Sequence, residues 1–130
     1  MNKKYLAKII AKDAQGLKLI SAICFAAKIK INDLKYLKKN QIFLVLLERF
    51  KKDNVKSNKK INSICKFEFV ENVKSKNVNQ YNKDSFLELI AIDLFKNRDK
   101  YEINLFFNNN ACITLLTEII EVTLEDQSNN

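Results

Sequence analysis

Glu68 with Glu71, and then Glu118, Glu121, Glu125 and Asp126, are the tightest groupings of carboxylates in this 130-residue chain. Paired carboxylates can do general acid–base work, but only inside a pocket that perturbs their pKa values, and spacing alone supplies neither. These acids therefore read as solvent-facing strand and chain terminus. Asp93 differs, because it shares a face with Leu89 and Ala91 inside an apolar run; it is the one carboxylate placed for burial, as a strand-end or partner-satisfied residue. Histidine is absent and glycine occurs once, at Gly16, so histidine-dependent triads and glycine-rich phosphate loops are both excluded. No residue is assigned a catalytic role, and the chain reads as non-enzymatic.

Thiols are the next candidates. Cys24, Cys65 and Cys112 cannot all pair within one chain, and each sits in an apolar run such as "SAICFAA" or "NSICKFEF". They read as small buried hydrophobes of a reducing, cytoplasmic compartment. With no histidine and no C-x-x-C pair, neither a metal site nor a cofactor is expected. The basic start "MNKKYLAKII" and the apolar "LISAICFAA" imitate a signal peptide. However, Lys8, Lys12, Asp13 and Lys18 interrupt the apolar run and Phe25 is bulky for a cleavage site, so export is not expected. No run approaches the ~20 apolar residues of a membrane-spanning helix.

Lysine is the remaining chemistry. The net charge is +8, and it is unevenly placed: residues 1 to 60 carry 16 Lys+Arg against 4 Asp+Glu, residues 61 to 130 carry 7 against 11. Lys35, Lys38, Lys39, Lys51, Lys52, Lys56, Lys59 and Lys60 fall in and beside one predicted hairpin and its following loop. They form a candidate face for nucleic acid or another polyanion, with binding driven by counterion release rather than base reading. Two observations weigh against it. Arginine, the residue of bidentate recognition, occurs only at Arg49 and Arg98, and the abundance of Lys, Asn, Ile and Phe is what an AT-rich genome imposes on any protein.

The elements that must position these residues follow from periodicity. "YLAKIIA" predicts a first strand, Asp13 an N-cap, and the spacing of Leu17, Ile20, Cys24 and Ala27 an amphipathic helix over 14–27 whose stripe covers a sheet. The period then falls to two through "KIKIND" and "LKYL". "KKNQ" predicts the turn of a hairpin over about 34–50, with Ile42 to Leu47 as a central strand. Residues 51–60 predict a mobile loop within one domain that spans 1–130. "INSICKFEFVENVKSKNV" predicts one long strand, with Cys65, Phe67 and Phe69 on one side and Val70 on the other. "FLELIAIDLF" predicts a strand with Leu87, Leu89, Ala91 and Asp93 on one face, opposing Glu88, Ile90, Ile92 and Leu94.

In "INLFFNNNACITLL" three asparagines separate two apolar runs. With proline absent and glycine nearly so, Asn109 or Asn110 must take the left-handed conformation a hairpin bend requires. "CITLLTEIIEVTLED" changes phase between Leu115 and Val122, which predicts a strand with a bulge near Thr117, in competition with a short terminal helix. Residues 127–130 predict a frayed tail.

The order of "LKLISAICFAAKIKINDLKYLKKNQIFLVLLERF", "VENVKSKNV", "FLELIAIDLF" and "INLFFNNNACITLLTEIIEVTLED" resembles an alphaproteobacterial family of the domain-of-unknown-function type, number 2948. The resemblance covers almost the whole chain and implies a compact single domain without an assigned activity. Relatives tend to have a glycine-rich turn where "NNNA" stands, and arginines where Lys74 and Lys76 stand.

Taken together, the residues predict an α+β fold: an N-terminal helix packed on a curved, mostly antiparallel meander of six to eight strands, with a partly open pleckstrin-homology-like barrel as its specific variant. The leading functional expectation is a cytoplasmic domain that binds a protein or peptide partner through a sheet edge or a groove beside the helix. Polyanion binding through the eight lysines is the alternative.

Overall fold

The computed structural model describes residues 7–50 and 60–127. In chain order the elements are β1 (Lys8–Ala11), α1 (Ala14–Ile23), β2 (Lys28–Lys30), β3 (Leu34–Leu37), β4 (Ile42–Phe50), β5 (Lys60–Phe67), β6 (Val70–Lys76), β7 (Phe86–Asn97), β8 (Lys100–Phe107), β9 (Cys112–Thr117) and β10 (Val122–Asp126). The ten strands form one sheet in the order β1-β10-β5-β4-β2-β7-β8-β9-β6, with β3 attached to β4. Every pairing is antiparallel. One helix on an antiparallel sheet is the expected α+β class, and the barrel variant is not formed: the sheet is open, with β1 and β6 at its ends. Only β3-β4-β5 and β7-β8-β9 are meanders. The remaining neighbours are brought together from distant parts of the chain.

Asp13 caps α1 as its residue type predicts, its Oδ1 accepting a hydrogen bond from the Gly16 N–H at 2.8 Å. The helix is shorter than 14–27. It ends at Ile23, and Ala26 enters the left-handed region at φ 66° so that Ala26 N–H and Ala27 C=O can bond Leu89 of β7. Leu17, Ile20, Cys24 and Ala27 are buried as the stripe requires. Gly16 has a packing reason: a Cβ there would lie 2.9 Å from the Ala11 Cβ, so α1 approaches β1 more closely than any side chain permits.

The strand count exceeds six to eight because two predicted runs break, and each break, like a register slip inside a third run, changes which face a residue presents. The run through residue 78 breaks at Glu68 and Phe69. Phe69 takes φ 60°, so it turns outward while Val70 is fully buried, the reverse of the expected phase. In β7 the register slips between Leu89 and Ala91. Ile92 turns inward, its freed N–H donates to the Ser21 Oγ of α1 at 2.9 Å, and Asp93 is exposed rather than buried. The last run contains no helix; Glu118 to Glu121 separate β9 from β10, and Thr117, Val122 and Leu124 are all buried.

The asparagine turn forms as expected, with both Asn109 and Asn110 left-handed at φ 59° and 60°. Gln41 ends the β3–β4 turn in the same conformation at φ 56°. The predicted loop 51–60 lies outside the described residues apart from Lys60, which is already the first residue of β5. The inward faces of both halves of the sheet meet in one core cluster, with Phe43 and Phe67 packed at 6.3 Å between ring centroids.

Candidate functional site

Two groups of polar residues stand out, one closed and one open. The closed group sits where β4, β5 and β10 run side by side, and alternation puts Arg49, Ser63 and Asp126 on the inward face of each. The Arg49 guanidinium donates to Asp126 Oδ2 at 2.8 Å and Oδ1 at 2.9 Å through Nη2, and to Oδ1 at 3.2 Å through Nε. Ser63 Oγ donates to Asp126 Oδ1 at 2.6 Å and accepts from Arg49 Nε at 3.2 Å. The Ala7 N–H donates to Oδ2 at 2.9 Å, so the carboxylate also holds the start of β1. Burial by itself would raise the Asp126 pKa; the bonds from Ser63, Ala7 and Arg49, together with the Arg49 charge, outweigh it and hold the carboxyl below its ordinary value.

This cluster offers little to a substrate, since all three side chains are nearly inaccessible and both carboxylate oxygens of Asp126 are already engaged. The thiols behave likewise. Burial pushes Cys24 up to about 12 and Cys65 well above its ordinary value, so neither is a thiolate at neutral pH. Cys112 is half-buried, and all three are free. Sequence grouping with Glu118, Glu121 and Glu125 places Asp126 as a solvent-facing terminal acid, and its burial beside Arg49 and Ser63 corrects that expectation. The legible signal was phase: Arg49 follows Leu47, and Ser63 lies between Ile61 and Cys65, at inward positions of apolar strands.

The open group is a groove of about 360 Å³ between β3, β6 and the 77–83 segment. Its floor is apolar, made by Ile31, Leu34, Tyr36, Phe43, Val73, Val78 and Ile113, while Asn32, Lys35, Ser75, Gln80 and Lys83 form the rim. Hydrogen bonds close both ends. At one, Tyr36 OH donates to the Val70 C=O at 2.7 Å and the Val70 N–H donates to the Gln41 C=O at 2.7 Å. At the other, Gln80 Nε2 donates to Ser75 Oγ at 3.4 Å. Between them β6 pairs with β9 alone among the described residues, leaving its second edge open beside the groove. Asn77 at φ 59° turns the chain out of β6, its side chain anchored on the Asn110 C=O at 3.0 Å. Tyr81, on the same segment, is fully exposed. No residue of α1 lines this groove.

The eight predicted polyanion residues are not gathered in the part of the chain that is described. Lys35 lies on β3, while Lys38 and Lys39 occupy the turn before β4. Lys60 pairs with Phe50 at the other end of the same strand, and its ammonium sits 5.8 Å over the Phe50 ring and 3.5 Å from Glu48. The nine-residue β4 separates the two ends by about 27 Å. Lys51, Lys52, Lys56 and Lys59 lie outside the described residues. Of the acidic groupings, Glu68 and Glu121 meet at the β5–β6 break; a hydrogen bond shared with Glu121, followed by burial, raises the Glu68 pKa. Glu71 is instead paired with Lys100 at 3.2 Å. Among the described residues no group of three or more acidic or thiol side chains is placed to hold a metal ion, and no helix is long and apolar enough to cross a membrane.

Comparison with known proteins returns a family and no activity. No curated protein matches, and no solved structure matches. One family model, described as a protein of unknown function, matches residues 7–130, and the chain therefore belongs to the DUF2948 family.

Proposed function

We propose that this chain is a non-enzymatic, cytoplasmic interaction domain, a single unit over residues 1–130, that takes an extended segment of a protein partner in the groove between β3 and β6. The observation that carries the reading is the coincidence of an apolar concavity with an unpaired strand edge. β6 offers backbone N–H and C=O groups on its free side, and Val73 and Ser75 of the same strand face the groove. A partner strand laid there gains main-chain hydrogen bonds from the edge and buries alternate side chains in the concavity, which is how sheet edges recognise peptides. The fully exposed Tyr81 beside the opening adds the amphipathic aromatic that interfaces favour. Against catalysis stands the closed cluster: the strongest polar constellation of the molecule is sealed. The cytoplasmic placement rests on three free cysteines.

Selection of a random seven-residue peptide library on the native chain tests this reading. Recovered peptides should lose binding to Ser75→Trp, which fills the groove from an exposed position, and keep it with Ile10→Trp, on the outer face of β1. Peptides that bind Ser75→Trp as well as the native chain would remove the groove from consideration.

A further inference from the structure

We infer that the segment seated in this groove alternates apolar and acidic residues, the apolar ones entering the concavity and the acidic ones lying on the outer face of β6. The inference rests on the reading of the β3–β6 groove as the partner site, and it follows from what each face of β6 presents. On the inward side Val73 continues into the apolar floor. On the outward side the same strand presents Lys74 and Lys76, both exposed, opposite Thr114 and Cys112 of β9. A strand added to the free edge of β6 obeys the same alternation, so its outward side chains stand beside Asn72, Lys74 and Lys76, while the strand's own carboxylate, Glu71, is held by Lys100 at 3.2 Å. Lys35 and Lys83 add positive charge at the rim, and no carboxylate lines the groove. Asp33 and Asp84 are neighbours of the rim in sequence but do not line it.

Cationic side chains on a free edge also keep like edges apart, so this arrangement disfavours a second copy of β6 as the occupant. The chain's own segments outside the description are equally unsuited. "MNKKYL" and "KKDNVKSNK" both carry net positive charge and would meet Lys35, Lys74, Lys76 and Lys83 with repulsion, and "SNN" at 128–130 has neither an apolar nor an acidic side chain to alternate. A separate, acidic partner strand is the occupant whose charge and spacing match.

The test uses three capped, fluorescently labelled hexapeptides that alternate valine with aspartate, with serine or with lysine. Binding to the native chain is read by anisotropy, and contact with the strand by hydrogen–deuterium exchange of residues 71–76. The valine–aspartate peptide should bind best, roughly three- to tenfold more tightly than valine–serine, with valine–lysine weakest and the preference shrinking at high salt. Lys74→Glu combined with Lys76→Glu should reverse that order; both side chains are exposed, and an unchanged melting temperature confirms the fold. If valine–serine binds as tightly as valine–aspartate while residues 71–76 gain protection, the acidic preference is wrong and the groove reading survives. If no peptide protects residues 71–76, both are wrong.

Discussion

Arg49, Ser63 and Asp126 in the sheet's interior, and Tyr36, Ser75 and Gln80 along the β3–β6 groove, are polar groups set among apolar neighbours, yet they leave their surroundings in different states. In the first region five hydrogen bonds converge on one carboxylate, the three side chains are buried, and β1, β4, β5 and β10 are tied at one point. In the second, two bonds at Val70 hold one end and a single bond the other, leaving about 360 Å³ between them beside a strand edge that is unpaired among the described residues. Saturation of its carboxylate makes the first region a structural clamp, because both Asp126 oxygens are already bonded within the fold. Incomplete pairing makes the second the place where a partner can add contacts. A polar cluster in a core is thus poor evidence of chemistry when its own members satisfy one another.

Breaking the clamp should produce the largest effect. Arg49→Leu strands a buried carboxylate and Asp126→Leu strands a buried guanidinium, so each should cost about 3–5 kcal/mol in urea unfolding. The double variant should cost clearly less than the sum, since replacing both charges leaves none unpaired. Additive losses would show that the pair is not coupled.

Acid should break the clamp without mutation. Because the folded-state pKa of Asp126 is depressed, its contribution is present above the unfolded carboxyl value of about 3.9 and is lost as pH falls through the folded value. Glu68 has the opposite sign: its raised pKa contributes below about 4.3, and that contribution fades as pH rises through its folded value. Urea midpoints from pH 3 to 7 should therefore fall steeply at the acid end. Asp126→Asn should flatten that fall, and Glu68→Gln should leave it in place.

Gly16→Ala probes the packing of α1 on β1 at the Ala11 end, away from the clamp. Alanine is the better helix former by about 1 kcal/mol, but its Cβ would meet the Ala11 Cβ at 2.9 Å. Overpacking of about 1–3 kcal/mol should win, giving a net loss of stability in thermal unfolding. At the groove, Tyr36→Phe removes the bond to Val70 and should cost only about 1 kcal/mol. Its clearer signature is faster amide exchange at residues 70–73, and unchanged exchange there would mean the hydroxyl does not pin the seam. The smallest effect is expected from Lys38→Glu combined with Lys39→Glu, two exposed turn residues, with stability changing by less than about 0.5 kcal/mol. An electrophoretic shift of DNA or RNA near physiological salt that these reversals or those at Lys51 and Lys52 abolish would instead favour the polyanion alternative.

The amino-acid order by itself determined much of the local structure. The Asp13 cap, the buried stripe of α1, the β3–β4 hairpin with its "KKNQ" turn and the left-handed asparagines at 109 and 110 all depend on residues within a few positions of one another. Their energetics are local, so period and residue type suffice to read them. What tertiary structure decided lies beyond such windows. The kink at Phe69 and the slip near Leu89 each moved downstream residues by one phase, which buried Val70 and exposed Asp93, and the slip's freed N–H is answered by Ser21, 71 residues away in sequence. Asp126 looked like a terminal acid until β10 joined β5 and brought it to Arg49, 77 residues distant. The groove likewise exists only because β6 pairs with β9 and not with β3. Strand periodicity shows which residues share a face, but which faces meet and which edge stays free is set by the competition among distant strands for partners.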